Sequence, residues 1–252
     1  RGDAVIANSR FTAENVRSQY EGKPYFSLDK MTVIPRGADL SRFDPATISQ
    51  ERIEPFRALL GMGLRVVLPG RFTDWKGQRV LIEAAKILHE RRPELLISYA
   101  AIGRMDEKPD YVAELRRLID EAGLAGRFQL LPSTDDVPAL LAASDVVVSA
   151  STDPEAFGRV AVEAQATGTP SIATAHGGSL ETVKDGETGI LVPPGDPEAL
   201  ATAIAAVNDK GDDERRAMGS RGMEHARQAF TTEAMTSATL EVYAKVLKLR
   251  GE

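Results

Sequence analysis

Short apolar runs rich in β-branched residues alternate with helical patterns along most of this chain. The strand-like runs cover residues 65–69, 95–100, 128–131, 146–149, 170–173 and 189–192. The segments between them carry apolar residues every three or four positions, as Val80, Ala84 and Ile87 do, which is typical of an amphipathic helix. Strands that are apolar throughout and alternate with helices form a parallel sheet with helices on both faces. The sequence therefore predicts an α/β fold with a doubly wound parallel sheet, whose ligand site lies beyond the carboxyl ends of its strands.

The overall composition excludes several classes of protein. The chain has 252 residues, a formal net charge of −6 and no cysteine. A net negative charge argues against binding nucleic acid through a broad basic surface. The lack of cysteine rules out disulfides, zinc–thiolate sites and thiol nucleophiles in this chain. No apolar run approaches about 18 residues, so we expect no membrane-spanning helix. These properties fit a cytoplasmic protein.

The two ends of the chain have patterns of their own. The chain begins without a methionine and passes directly into a β-like run at residues 4–7, so we expect a fragment of a longer protein. Asn8 and Ser9 are predicted as caps of a helix that follows this run. Residues 36–50 are rich in Gly, Asp, Pro and Ser, which predicts a linker. A last helix is predicted from Thr232 to about residue 249.

Two glutamates, Glu155 and Glu163, stand eight positions apart around a Phe-Gly step. The run predicts a helix that begins near Gly158, and eight residues of helix span ~12 Å, which is about the separation of the two sugars in a nucleotide-sugar. A helix N-terminus between them suits a diphosphate. Glu163 has apolar neighbours, and a carboxylate on a mostly buried helix needs a partner or a ligand. The alternative is a helix-terminal charge at Glu155 and a surface residue at Glu163.

A basic turn follows the strand predicted at residues 65–69. It contains Gly70, Arg71, Lys76 and Gly77 and opens the next helix. The Arg71 guanidinium can donate two hydrogen bonds to phosphate oxygens, and Lys76 supplies a point charge. The pair therefore predicts a diphosphate clamp. The glycine-rich P-loop pattern is missing from this turn, which excludes Walker-type phosphate binding. The alternative is a solvated turn that is basic without a ligand.

Three weaker signals accompany these motifs. Gly177 and Gly178 follow a predicted strand and permit close backbone approach to a ligand, with Glu181 expected to cap the helix that starts there; a plain strand-to-helix turn is the alternative. Ser133 opens a segment that caps a helix and whose backbone can meet a base in the cleft. His225 is expected at the surface. The sequence shows no histidine–carboxylate cluster that would predict a metal site.

Taken together, the ordered blocks resemble the donor-binding half of retaining GT-B glycosyltransferases of family 4, the group 1 glycosyl transferases. The blocks are residues 70–77, 155–163 and 177–181, and the similarity covers about residues 60–210. The flanks fit as well. Residues 5–9 resemble the last strand of that family's N-terminal domain, residues 33–39 resemble its interdomain linker, and the helix from Thr232 resembles its C-terminal crossing helix.

The resemblance implies a role for each motif residue. Arg71 and Lys76 would be the catalytic cations, which hold the donor diphosphate and neutralise the leaving nucleoside diphosphate. Glu155 would bind hydroxyls of the donor sugar and Glu163 those of the ribose. The remaining implied donor contacts are Gly70, the amides near Phe157 and Gly158, and the backbone near Ser133.

The implied fold is the Rossmann-like C-terminal half of a GT-B enzyme with a remnant of its N-terminal domain. The implied divisions are an acceptor-domain remnant at residues 1–35, a linker and lead-in at 36–60, the donor-binding domain at 61–230 and the crossing helix at 231–252. The family's acceptor-side histidine and glycine-rich loop have no match in this chain. We therefore expect this chain alone to bind the donor without catalysing transfer.

The implied activity is transfer of a sugar, with retention, from a UDP- or GDP-linked donor to a saccharide or a lipid-linked acceptor. The resemblance implies no metal and no other cofactor, and it places any peripheral contact with the inner face of a membrane in the missing domain. Two alternatives stay open. One is a non-catalytic nucleotide- or sugar-binding module, and the other is a GT-B epimerase or a phosphorylase, the latter requiring a pyridoxal-phosphate lysine that the sequence does not identify.

Overall fold

The computed structural model describes residues 2–250, with side chains through Lys248. In chain order the strands are β1 (Val5–Ala7), β2 (Met31–Val33), β3 (Leu64–Pro69), β4 (Ile97–Gly103), β5 (Phe128–Pro132), β6 (Val146–Ser149), β7 (Ser171–Thr174) and β8 (Gly189–Val192). The helices are α1 (Arg10–Tyr20), α2 (Gln50–Leu60), α3 (Gln78–Arg91), α4 (Pro109–Glu121), α5 (Val137–Ala143), α6 (Arg159–Ala166), α7 (Ser179–Thr182), α8 (Pro197–Asp209), α9 (Gly211–Ala229) and α10 (Thr232–Arg250).

Six parallel strands form the main sheet of the described chain, in the order β5-β4-β3-β6-β7-β8. Val66 of β3 pairs with Tyr99 of β4 on one side and with Val146 of β6 on the other. The chain builds outward from β3 in one direction and from β6 in the other, so the strand order reverses between these two strands. This reversal confirms the predicted doubly wound sheet and places its crevice between β3 and β6.

Alternate residues of each central strand face different helical layers. Val66 and Leu68 pack in a cluster with α3, α4 and α8, whereas Val67 packs in a cluster with α2 and α5. All three side chains are buried. Burial of each stabilises the fold by about 1.5–3 kcal/mol, and burial on both faces explains why these strands are apolar throughout.

The segment predicted as linker and lead-in is more ordered than its composition suggests. Residues 50–60 form α2, and Ile53 and Leu60 are buried against α5. Before α2, two short 3₁₀ turns bury Phe43 and Ile48. Ile53, Phe56 and Leu60 follow the three-to-four-residue spacing of a helix. The Gly, Asp and Pro residues in the same segment favoured the linker prediction instead.

The N-terminal segment forms a separate two-stranded parallel sheet of β1 and β2. The predicted β1 and the predicted Ser9 cap are confirmed, since the Ser9 hydroxyl accepts a hydrogen bond from the Thr12 amide at 3.0 Å. Ala38 contacts the C-terminal part of the chain, because its amide donates a hydrogen bond to the Phe230 carbonyl at 2.9 Å. Within the described residues, no helix has the length and apolar character needed to cross a membrane.

Candidate functional site

The loops that follow β3, β6 and β7 touch one another at the crevice. The Thr152 amide donates to the Trp75 carbonyl at 2.7 Å, and the Gly178 amide donates to the Glu155 carbonyl at 2.7 Å. The Thr174 hydroxyl donates to the Ser151 carbonyl at 2.9 Å. The three sequence blocks, which are spread over residues 70–181, therefore meet at one edge of the sheet, as the parallel topology requires.

Lys76 and Glu155 form the central contact of this site. The Lys76 Nζ lies 2.6 Å from Glu155 Oε1, and only 14% of either side chain is exposed. The Ser151 hydroxyl donates to the same oxygen at 2.6 Å, while the lysine also lies 4.4 Å from the centroid of the Trp75 ring. The second oxygen, Oε2, accepts no hydrogen bond from any described residue. The predicted clamp lysine is thus paired with the predicted sugar-binding glutamate.

Arg71 differs from Lys76, because its guanidinium forms no ion pair or hydrogen bond within residues 2–250 and is exposed. Its loop is nevertheless fixed. The Arg71 carbonyl accepts from Gln78 Nε2 at 2.9 Å, and Gln78 is fully buried. Phe72 is buried, and the Gly70 amide donates to the Ile102 carbonyl at 2.9 Å. A fixed loop therefore carries both Arg71, whose charge is unpaired among the described residues, and Lys76, the partner of Glu155.

The start of α6 combines a left-handed glycine with a buried aromatic ring. Gly158 has φ 87° and caps the helix, which begins at Arg159. The Phe157 ring is buried and meets Phe230 edge-on at 5.6 Å, so Phe157 offers only its backbone to a ligand. No acidic residue lies in the first turn of α6, which leaves the positive end of the helix dipole uncompensated by the helix itself.

The same boundary corrects the helical distance predicted between the glutamates. Glu155 lies in the loop before α6, so only the part from Arg159 to Glu163 rises as a helix and the ~12 Å figure for eight helical residues does not apply. Glu163 has a different ion-pair partner from Glu155 and lies at a separate cavity. It pairs with Arg159 at 2.7 Å and is 12% exposed, at a cavity of about 170 Å³ that Arg36 and Arg42 also line.

The two carboxylates therefore have different partners, with Lys76 and Ser151 on one and Arg159 on the other. A hydrolase pair shares one reacting bond between its carboxyls. The separate partners favour two binding positions over an acid/base couple.

The glycine pair at residues 177–178 serves the packing of the site loop. A Cβ on Gly177 would lie 2.4 Å from the Glu155 carbonyl oxygen, and one on Gly178 would lie 2.4 Å from the Phe157 Cα. The close approach predicted for a ligand is thus made by the backbone of the loop that carries Glu155. His176, in the same turn, has its Nε2 2.9 Å from the Ser151 carbonyl oxygen.

Glu181 caps the helix α1 rather than its own helix, which corrects the prediction. Its two oxygens accept from the amides of Arg10 at 2.9 Å and Phe11 at 3.0 Å. Next to this contact, the Ser9 hydroxyl donates to the Ala156 carbonyl at 2.5 Å. The N-terminus of α1 is thereby docked on the loop between β6 and α6, a contact between distant segments that no local pattern signals.

Ser133 lies at the far end of the same sheet edge. It is exposed and directly follows β5, which is two strands from β3 and hence roughly 10 Å away. Asp136 caps α5 through the Ala139 amide at 3.2 Å and pairs with Arg52 at 2.7 Å. The hydrogen bond from Arg52 is the main cause that lowers the pKa of Asp136. A second cavity, of about 470 Å³, lies here and shares Arg42 with the cavity at Glu163.

His225, expected at the surface, is half-buried on α9 and meets the Phe230 ring edge-on at 5.2 Å. Burial, helped by the nearby Lys184 charge, lowers the pKa of His225.

Within the described chain, no three His, Asp or Glu side chains stand together in a way that could hold a metal ion. Sequence reasoning missed Ser151, which belongs to no pattern with a fixed spacing, and the Arg159 partner of Glu163, which the i,i+4 spacing of the two residues on α6 could have indicated.

Comparison with known proteins agrees with the fold described above. The family described as glycosyl transferases group 1 matches residues 50–225. The D-inositol 3-phosphate glycosyltransferase of Salinispora tropica is 33% identical over 97% of this chain and 51% of its own length. The chain thus spans about half the length of the curated relatives it matches.

Solved structures show the same fold. A glycosyltransferase from Rickettsia africae superposes with a TM-score of 0.88 at 30% identity, over 98% of this chain and 64% of that one. Anabaena Alr3699/HepE, solved in complex with UDP, superposes with a TM-score of 0.85 at 31% identity, over 97% and 64%. The same protein with UDP-glucose gives a TM-score of 0.83 at 31% identity, over 97% and 64%. The Rossmann-like sheet of this chain is that of GT-B glycosyltransferases, and the chain belongs to the glycosyl transferases group 1 family.

Proposed function

We propose that this chain is the donor-binding part of a family 4 glycosyltransferase, which transfers a sugar from a nucleotide-sugar with retention of configuration. The observation that carries the proposal is the arrangement at the crevice. Arg71, which has no side-chain partner among the described residues, lies in the same loop as Lys76, and Lys76 pairs with Glu155 in the loop that leads into the uncompensated N-terminus of α6. Positive groups of this kind in a crevice beyond parallel strands suit a diphosphate.

Arg71 and Lys76 are proposed to bind the diphosphate and to stabilise the negative charge of the leaving nucleoside diphosphate. Glu155 partly neutralises Lys76, so Arg71 carries most of the free positive charge. The amides of Phe157 and Gly158 at the start of α6 are proposed to donate to the same group, whereas Gly70, whose amide is engaged by the Ile102 carbonyl, is proposed to allow its close approach.

The two glutamates are proposed to bind the two sugars. Glu155 has one oxygen without a donor, which can accept from a hydroxyl of the transferred sugar. Glu163 faces a separate cavity and would accept from the ribose. The backbone near Ser133 would contact the base, because the cavity on that side adjoins the Glu163 cavity at Arg42.

The donor is proposed to be UDP-linked, with GDP-linked sugars second, since the structural neighbour Alr3699/HepE was solved with UDP and with UDP-glucose. The acceptor is proposed to be a saccharide or a lipid-linked saccharide. The divisions 1–35, 36–60, 61–230 and 231–252 are kept as a proposal. We also propose that the protein acts in the cytoplasm, with any membrane contact made outside this chain.

One observation favours a second candidate function. The chain spans 51% of its Salinispora relative, so by itself it is proposed to act as a nucleotide-sugar-binding module. Addition of the remaining half of such a relative, as a separate chain, should then restore transfer. Equal activity with and without that half would contradict this second candidate.

The donor site is tested by binding of UDP and GDP to the wild-type chain, followed by calorimetry and thermal unfolding. Ligand at about 100 times its Kd should stabilise the fold by about 2.7 kcal/mol. Arg71→Ala should weaken UDP binding about 10-fold, or about 1.4 kcal/mol, because one charge-assisted contact to phosphate is lost.

The matched control is Arg116→Ala, which removes an exposed arginine of α4. It should leave the Kd of UDP unchanged. Equal weakening by both substitutions would show that only the net charge matters. If neither nucleotide stabilised the chain, the donor-site proposal would be wrong.

A further inference from the structure

We propose that Ser151 is a positioning residue, which orients the Glu155 carboxylate so that its free oxygen meets the donor sugar. This inference rests on the proposed function of the crevice. Ser151 lies four residues before Glu155 in the same loop, and its side chain is directed at the carboxylate rather than at solvent, since only 1% of the residue is exposed.

The hydrogen bonds around Glu155 divide its two oxygens. Ser151 Oγ and Lys76 Nζ both lie 2.6 Å from Oε1. No described residue donates a hydrogen bond to Oε2. Because both donors bind one oxygen, the carboxylate is held from one side and presents the other oxygen to an incoming hydroxyl.

Lysine alone does not fix that orientation. An ammonium is a compact point charge with three rotatable donors, so it attracts either carboxylate oxygen from many directions. A serine hydroxyl is limited by its single χ1 angle to a few staggered positions, and in this structure the buried Ser151 hydroxyl lies at the one that donates to Oε1. The direction of the Glu155 carboxylate is therefore set by Ser151, while Lys76 supplies most of the attraction.

Ser151 is itself held in place by the end of β7. Its carbonyl oxygen accepts from Thr174 Oγ1 at 2.9 Å and lies 2.9 Å from His176 Nε2. A carbonyl can only accept, so Nε2 is the protonated nitrogen of His176. The Glu155 carbonyl accepts from the Gly178 amide at 2.7 Å. Both ends of the loop from Ser151 to Glu155 are thus fastened to the turn at residues 174–178.

The inference predicts a selective defect. Ser151→Ala should weaken binding of the sugar-nucleotide about 10-fold and leave the Kd of UDP within about 2-fold, because UDP lacks the sugar that Glu155 would bind. Calorimetry on the full chain measures both effects by comparing UDP-glucose with UDP; where the wild type binds GDP-mannose more tightly, GDP-mannose and GDP take their places in every comparison. Ser151→Thr, which restores a hydroxyl, should return the lost affinity.

The matched control is Ser144→Ala at the opposite end of β6. Ser144 is also buried, and its hydroxyl also donates one hydrogen bond, to the Leu140 carbonyl at 2.8 Å. It should cost similar thermal stability without changing either Kd. Where Ser151→Ala fails to fold, Ser151→Cys fills the site with a larger sulfur atom that is a much weaker donor and should show the same selective loss.

Each outcome decides the inference. Equal weakening of UDP and the sugar-nucleotide would show a structural role for Ser151, and unchanged affinity for both would show no role; either overturns the proposal. A wild type that binds UDP but no tested sugar-nucleotide overturns the positioning role while the nucleotide site stands. A wild type that binds none of these ligands overturns the proposed function and this inference with it.

Discussion

A single glycine determines how closely two site loops approach each other. Gly77 begins α3 with φ 80°, and a Cβ at this position would lie 1.9 Å from the Ala150 carbonyl oxygen. The neighbouring Lys76 reaches Glu155 across the same gap. Any side chain on Gly77 would push apart the backbones that bring this pair together.

Gly77→Ala should therefore be more damaging than the left-handed backbone alone explains. Gly126 is the control, since it has φ 81° but a Cβ added there would meet nothing within 4 Å. Gly126→Ala should cost about 1–2 kcal/mol, the usual penalty of this conformation for an L-residue. Gly77→Ala should exceed this by at least about 2 kcal/mol in urea unfolding, because the steric clash adds to it. Similar costs for both variants would refute the close-approach argument.

At the scale of elements, α1 depends on a cap from a distant part of the chain. It has 11 residues and no acidic residue in its first turn, and helices of this length are marginal without tertiary support. Glu181 of α7 supplies the missing carboxylate, which accepts from the amides of Arg10 and Phe11. A negative charge at this end also suits the helix dipole.

Glu181→Ala should loosen α1. Loss of a cap costs about 1 kcal/mol, so hydrogen exchange of the α1 amides should accelerate roughly 5-fold. Glu14→Ala is the matched control, because it removes a carboxylate of α1 that pairs only with exposed Arg17, a type of contact that contributes little. Equal exchange rates in the two variants would show that Glu181 does not hold the helix.

The sequence predicted most elements because their hydrophobic periods are strong, and it failed where tertiary contacts decide. The strand expected at residues 95–100 is β4, which starts at Ile97 and runs to Gly103; Leu96, just before the strand, is 54% exposed despite its apolar side chain. The α2 helix was hidden by Pro55 and by the polar residues before it. Glu181 was assigned to the nearest helix because only local capping can be inferred from spacing.

At the scale of the whole molecule, the location of the site follows from topology alone. Parallel strands place the loops after β3, β6 and β7 at one edge of the sheet, so the sequence predicted which segments meet. It could not predict which side chains pair there. The contacts of Lys76 with Glu155 and of Ser151 with Glu155 depend on loop conformations that no period encodes.

A chain of aromatic contacts links the site to the C-terminal helices. Phe157 meets Phe230 at 5.6 Å, and Phe230 meets His225 at 5.2 Å, each edge-on. Packing of these rings ties the loop before α6 to α9. The titration of His225 therefore bears on the stability of the folded molecule as a unit.

Stability should consequently fall in mildly acidic solution. Burial and the Lys184 charge lower the pKa of His225 below its ordinary value of 6.5, against a smaller opposing effect of Glu187. The unfolded chain then binds a proton more readily than the folded one, so the contribution of His225 is present above about pH 6.5 and is lost as the pH falls through the lowered pKa. Urea unfolding between about pH 7.5 and 5 measures this loss. His225→Phe keeps an aromatic ring against Phe230 and should abolish the decline of the unfolding free energy in that range. Lys184→Met removes the repelling charge and should make the decline smaller. A His225→Phe variant with the wild-type decline would show that another group is responsible.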